Sequence, residues 1–190
     1  KHLFRQFLNE NKLHMPKGQA FDDKAKAREY FYQMQLPVMI KPIDASGSKG
    51  VIRVQNREDF ESVFDEAMSY SIEKKVIIET FIRKKGYQID GDGFLKDGKI
   101  VFFGVMDQHN NIERNPHAPI GLSYPSIQAA EHQKKAYGLM QSMFDLLQMR
   151  FGAFNFEYLV EENGDVCVLE IGPRNGGNFI PDTLEYALGA

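Results

Sequence analysis

Glu157 and Glu170 are set by the sequence to face each other across a tight hairpin, and two carboxylates so opposed are a natural seat for a cation. Around them the chain reads FGAFNFEYLVEENGDVCVLEIGPRNGG, two apolar strand-type runs joined by Asn163-Gly164, the strongest short-range signal for a two-residue turn. With that turn Glu162 pairs with Asp165, and counting outward sets Glu157 opposite Glu170, with Cβ atoms ~5 Å apart. Like charges at that distance repel by ~3 kcal/mol at a surface-like dielectric, and by more where Phe154, Phe156, Val168 and Ile171 exclude water. A divalent cation turns the repulsion into attraction; a solvated acidic pair on an exposed sheet face is the plainer alternative. Pro173-Arg174-Asn175-Gly176-Gly177 follows at once and sets a cation and a flexible backbone beside the acids, which favours the metal.

A second group with chemistry is PVMIKPIDASGSKGV. Pro42 biases Lys41 toward an extended backbone, and strand alternation points Met39 and Lys41 to one face, an apolar platform beside a fixed positive charge. Ala45 and the loop Ser46, Gly47, Ser48, Lys49 and Gly50 are small and rich in donors, so their amides can wrap phosphate oxygens. Alone, such a loop is also an ordinary turn between strands. Gly93 to Lys99 imitates a phosphate-binding P-loop, but Ile100 stands where Ser or Thr is required and the stretch reads as strand, turn, strand. His109 and His117 lack a partner set at zinc spacing and read as polar loop residues.

Alternating short strands and helices must position these groups; there is no internal repeat or low-complexity linker. KHLFRQFLNEN reads as a helix, HMPKGQAF as extended, and DDKAKAREYFYQM as a helix opened by capping aspartates. PVMIKP and GVIRVQ read as strands and NREDFESVFDEAMSYS as a further helix, making residues 1–75 a small α+β lobe. Residues 76–190 form a strand-rich lobe. There VIIETFI, GYQIDGDGFL and KIVFFGVM are antiparallel strands, with Asp97-Gly98 turning the last two. Asp107 to Ser126, with its three prolines, reads as a long irregular stretch. HQKKAYGLMQSMFDLLQMR is the longest helix, and a boundary near residue 75 makes a cleft.

Composition agrees with a soluble α+β protein: 43% hydrophobic and 26% charged residues are ordinary values. A net charge of -3 gives no reason to expect nucleic acid or anionic membrane as a partner. Cys167 alternates with Leu169 and Ile171 on the hairpin face away from Glu170, as a core residue. As the single cysteine it allows no intramolecular disulfide, which fits a reducing, cytoplasmic setting. No apolar run reaches membrane-spanning length and no signal peptide is visible. The start at Lys1, without Met and directly in a helix, reads as a piece of a longer chain.

Three blocks in order, PVMIKPIDASGSKGV, VIIETFI with GYQ, and FNFEYLVEENGDVCVLEIGPRNGG, resemble the ATP-grasp superfamily of ATP-dependent carboxylate ligases. The resemblance implies an ATP-grasp fold of two α+β lobes with antiparallel sheets and a nucleotide cleft between them, residues 1–75 acting as the lid. Carried over by position, Lys41 contacts ATP phosphates and Ser46 to Gly50 closes over them. Glu79, Thr80, Phe81 and Ile82 read the adenine edge through backbone groups, between the apolar jaws Met39 and Leu159. The ribose-binding acid falls at Gln88, an amide here. Lys1 sits where a further phosphate-contacting lysine lies. Glu157 and Glu170 match the metal ligands, for Mg2+ or alternatively Mn2+, and Arg174 matches the arginine that faces the reacting carboxylate. The family's Glu-x-Asn triplet appears as Glu170-Ile171-Gly172; Asn155, opposite Gly172 in the expected register, is the candidate substitute ligand.

That chemistry moves the γ-phosphoryl of ATP onto a carboxylate, giving an acylphosphate that an amine attacks; positioning and charge neutralisation do most of the work. RNGGNFIP resembles the glycine-rich end of amino-acid ligase members. A bicarbonate-phosphorylating relative, like carbamoyl-phosphate synthase or biotin carboxylase, and a nucleotide-binding module without ligase activity are the alternatives. Arg114, Asn115 and His117 lie in the long loop, which either borders the expected acceptor pocket or is a solvated surface loop, and other domains of the same longer chain are expected partners.

Overall fold

The computed structural model describes residues 1–111, 115–177 and 179–189, and within it the alternating pattern resolves into two antiparallel sheets. The chain divides into two compact units, Lys1–Ile82 with Ile112–Ala118, and Arg83–Asn111 with Pro119–Ala190.

In the first unit β1 (Gly18–Phe21), β2 (Val38–Pro42), β3 (Ile52–Val54) and β4 (Val76–Thr80) form a sheet in the order β1-β4-β2-β3. Helices α1 (His2–Glu10), α2 (Lys24–Gln33) and α3 (Phe60–Ser69) complete it. Asp23 caps α2 by accepting the Lys26 amide at 2.9 Å, as the paired aspartates lead one to expect. Val38, Ile40, Val54, Val76 and Ile78 pack with Phe31 of α2 and with Phe60 and Phe64 of α3. Residues opposite each other in an antiparallel ladder share a face, so Met39, Arg53 and Glu79 lie together on the other side, with Lys41 two residues along β2. The boundary expected near residue 75 is displaced: Val76, Ile77 and Ile78 are fully buried and form a central strand bonded to both β1 and β2. A continuous apolar run is what a strand buried on both faces requires.

The second sheet runs β7-β6-β5-β8-β9, with β5 (Gln88–Lys96), β6 (Lys99–Asn111), β7 (Asn115–Ser123), β8 (Gly152–Val160) and β9 (Val166–Gly172). Asp97 and Gly98, at φ 52° and 80°, make the expected two-residue turn between β5 and β6. The stretch from Asp107 to Ser126, expected to be irregular, is largely strand. Pro116 and Pro119 are tolerated because β7 is an edge strand, where a missing N–H need not break a ladder, and Pro125 follows the strand's end.

One face of this sheet is aromatic. Phe156 stacks on Phe103 with centroids 4.4 Å apart, and Phe154 meets Phe144 of α4 (Ala130–Leu146) at 4.6 Å. On the opposite face lies α5 (Ile180–Leu188), a helix the sequence reading does not contain; its Ile180 and Leu184 pack on Met106. No described helix is long and apolar enough to cross a membrane.

Candidate functional site

Glu157 and Glu170 are directly opposite each other in the β8–β9 ladder, Glu157 half-buried and Glu170 exposed. The pairing is as expected, but the path to it differs. The loop contains three residues, Glu162, Asn163 and Gly164: the Glu161 amide donates to the Asp165 carbonyl at 2.8 Å, and the Gly164 amide to the Glu161 carbonyl at 2.9 Å. Gly164, at φ 86°, takes the left-handed position that such loops require. Glu162 therefore does not pair with Asp165. This offset of one residue is cancelled by a bulge, in which Tyr158 pairs with Val168, Glu157 with Glu170, and Leu169 is the extra residue. Cys167 pairs with Leu159 and so lies on the Glu157 face, not away from it. It is fully buried all the same.

Strand β5 adds two acids that the sequence reading passed over. Asp90 pairs with Glu157 and Asp92 with Asn155, so Asp90, Glu157 and Glu170 form a row of carboxylates across three strands. Asp90 and Asp92 are both buried, at 6% and 5% exposure. The Asn155 amide nitrogen donates to Asp90 Oδ1 at 3.0 Å, to the Gly91 carbonyl at 2.9 Å and to Asp92 Oδ1 at 3.1 Å. Burial pushes both carboxyls above the ordinary aspartate range; Asn155 and the nearby Arg174 charge oppose the rise without cancelling it. Asn155 lies opposite Gly172 as expected, but its nitrogen is committed to this network, and only its Oδ1 can face a cation. The clue was present in the sequence: Gln88, Asp90 and Asp92 alternate along one strand face.

Asp92 also anchors the glycine-rich segment. The Gly176 amide donates to both Asp92 oxygens, at 2.8 and 3.0 Å. A Cβ on Gly176 would lie 2.8 Å from Asn155 Nδ2, Asp92 Oδ1 and Ile180 Cδ1 alike, so any larger residue forces these groups to shift. Arg174 is exposed and donates from Nη1 to the Asn175 carbonyl at 2.6 Å. Gln88 Nε2 donates to Glu157 Oε2 at 2.8 Å and makes a longer contact of 3.4 Å to Gln108 Oε1. Leu159 is buried on the Glu157 face. His109 exchanges a hydrogen bond of 2.9 Å with Ser123 Oγ and packs on Tyr87, consistent with a polar strand residue.

The first unit holds the remaining candidates. Met39 and Glu79 are directly opposite, with Lys41 further along the same face. Glu79 is buried between two cations: Lys41 Nζ pairs with Oε1, and Arg5 Nε donates to Oε2 at 3.1 Å. Burial pushes its carboxyl up, but the Lys41 and Arg5 charges prevail and hold it below the usual glutamate range. Glu79 thus acts through its side chain in this unit. The Thr80 amide donates to the Lys17 carbonyl at 2.8 Å and the Phe81 amide to that of Pro37 at 3.4 Å. Two of the four backbone donors expected to read a base are thus already engaged within the unit. Arg53 caps the Phe81 ring at 4.2 Å.

In the loop, Gly47, Ser48 and Gly50 all have positive φ, at 63°, 57° and 67°, and the Lys49 amide closes a turn onto the Ser46 carbonyl at 3.4 Å. Ser48 Oγ donates to the His117 carbonyl at 2.7 Å, and Lys1 Nζ to the Ala45 carbonyl at 2.6 Å. Asn115 begins β7, while Arg114 lies outside the described residues.

Comparison with known proteins adds family evidence. The model of the ATP-grasp domain matches residues 34–182. The C-terminal section of the carbamoyl phosphate synthase large chain of Aquifex aeolicus is 26% identical over 198 residues, covering 99% of this chain and 35% of its own length. Among solved structures, the biotin carboxylase domain of Hydrogenobacter thermophilus 2-oxoglutarate carboxylase, in complex with MgADP, ADP and bicarbonate, superposes with a TM-score of 0.78 at 16% identity. The match covers 94% of this chain and 40% of that one. The L-amino acid ligase of Bacillus licheniformis gives a TM-score of 0.68 at 19% identity, over 95% and 41%. At these identities the two structural matches are likenesses of fold.

Proposed function

This chain belongs to the ATP-grasp domain family, and from that premise we infer that it is the nucleotide-binding part of an ATP-dependent carbon–nitrogen ligase. The observation that carries the reading is the pairing of Glu157 with Glu170 on the face that also bears Asp90, Asn155 and the anchored RNGG segment.

Two opposed carboxylates form a hard, all-oxygen donor set of the kind Mg2+ takes together with phosphate oxygens, so the residues fit that ion. Glu157 and Glu170 would hold it, and a bound Mg2+ would neutralise phosphate charge as ADP leaves. Mn2+ suits the same donors. The first unit has Lys41 and Arg5 around a single carboxylate, one positive charge in excess, and the loop Ser46 to Gly50, whose left-handed residues Gly47, Ser48 and Gly50 give the curled backbone that phosphate-binding loops use. In the first unit Met39 offers apolar surface for a base and the Ile82 amide a donor for its edge; in the second, Leu159 is the apolar candidate on the Glu157 face.

A substrate carboxylate oxygen then attacks the γ-phosphorus, the bond to the ADP oxygen breaks, and an acylphosphate forms. An amine attacks its carbonyl carbon and phosphate departs. Arg174, which is exposed, would balance the charge of the incoming carboxylate. The sequence match to a carbamoyl phosphate synthase section favours bicarbonate as a second reading of the acceptor. The test is calorimetric titration of ADP with and without Mg2+, followed by ADP release in the presence of bicarbonate or an amino-acid panel. Magnesium-dependent binding is expected; its absence refutes the reading.

A further inference from the structure

We propose that Gln88 is a positioning residue for the Glu157 carboxylate and that it does not read the nucleotide's sugar as a diol; the inference rests on the magnesium-nucleotide reading of this face. Three facts carry it.

First, an ionised carboxylate can only accept, so the 2.8 Å contact to Glu157 Oε2 fixes the Gln88 amide with its NH2 toward Glu157. Second, the other proton of that NH2 points to Gln108 Oε1, directly across the β5–β6 ladder. Both donors are then spent inside the protein. Third, presenting its oxygen to Gln88 leaves Gln108 Nε2 buried with no hydrogen-bond partner, although Gln108 is only 2% exposed. An unpaired buried donor is costly and calls for an explanation. Holding Gln88 in the one orientation that serves Glu157 supplies it.

The amide is what makes this arrangement work. A glutamate at position 88 would bring a second acceptor-only carboxylate to hydrogen-bond distance of Glu157, where the two have no proton to share and repel. A glutamine instead donates to Glu157 and locks its rotation beside Glu170. What remains of Gln88 is one carbonyl oxygen, enough to accept from one hydroxyl but not to take up two as a carboxylate does. The 2′-hydroxyl therefore adds little to binding, and the side chain acts through the metal carboxylate.

The test is calorimetric titration of ADP and 2′-deoxyADP, in EDTA and at increasing Mg2+, into wild type and Gln88→Met, an isosteric change without the amide. Wild type is expected to bind the two nucleotides within about twofold of each other. Gln88→Met should keep its magnesium-free ADP affinity while its half-saturating Mg2+ rises about tenfold, the effect of one hydrogen bond to a charged group. Should Gln88→Met fail to give a cooperative melt, Gln88→Asn, too short to reach Glu157, is expected to show the same split. An unchanged Mg2+ requirement in a folded variant overturns the proposal. So does a wild type that prefers ADP over 2′-deoxyADP by about tenfold and loses that preference in the variant. If wild type shows no magnesium-dependent ADP binding at all, the functional reading itself falls and the role of Gln88 with it.

Discussion

Arg5 Nε donates to Glu79 Oε2 at 3.1 Å across 74 residues of sequence, while Lys41 takes the other oxygen of the same buried carboxylate. Removing that charge strands two cations, one of them buried in the protein. Glu79→Gln should destabilise the chain by ~3 kcal/mol, read as a lower urea midpoint at unchanged slope. The pH dependence has a definite sign. Because the folded pKa of Glu79 is depressed, its contribution is intact above about pH 4.3 and is lost as pH falls through the folded value. The acid limb of the stability profile should be shallower in Glu79→Gln than in wild type.

Asp90 and Asp92 behave in the opposite sense. Their folded pKa values are raised, so stability is greatest with both protonated and is lost as pH climbs through the folded values. Asn155 is the donor that eases their ionisation. Asn155→Ala should push both carboxyls further up and open a stability deficit that is larger at neutral pH than at mild acid pH. Thermal melts across that range measure it; an equal deficit at both ends contradicts the network.

Gly176→Ala sets a methyl 2.8 Å from Asn155 Nδ2, Asp92 Oδ1 and Ile180 Cδ1. Such overpacking costs typically ~1–3 kcal/mol. At Gly177, next in sequence, an added Cβ would meet nothing within 4 Å, and Gly177→Ala should change stability by less than about 0.5 kcal/mol. Chemical denaturation of the pair separates a close-approach glycine from one with room around it.

Glu170→Gln removes a charge from an exposed strand position and should leave the melting curve nearly unchanged. The same variant should lose the magnesium enhancement of nucleotide binding. A variant that binds Mg-nucleotide like wild type would remove Glu170 from the metal site.

The opposition of Glu157 and Glu170 was legible because turn chemistry and period-two alternation are local signals. It was nonetheless reached through two errors that cancel, a loop one residue longer than expected and a bulge at Leu169. Cys167, lying between the two irregularities, shows the cost: the count that places Glu170 correctly puts this residue on the wrong face. Asp90 and Asp92 were hidden for a different reason. Their meaning depends on the β5–β8 register, which joins strands about 65 residues apart and has no local signature. The assignment of Val76–Thr80 to the second unit failed similarly, since a fully buried strand does not announce its neighbours. Arg5 lay in a helix whose pattern was clear and whose distant partner was not.

The bulge at Leu169 works as a slip joint in the hairpin. Everything between it and the tip follows one alignment, and everything toward the glycine-rich segment follows another. A tip shortened or lengthened by one residue can be absorbed there without sliding the acids past each other. The outer end of the hairpin is thus the place where this protein can be rewritten, by drift or by grafting, while its charged inner end stays in step.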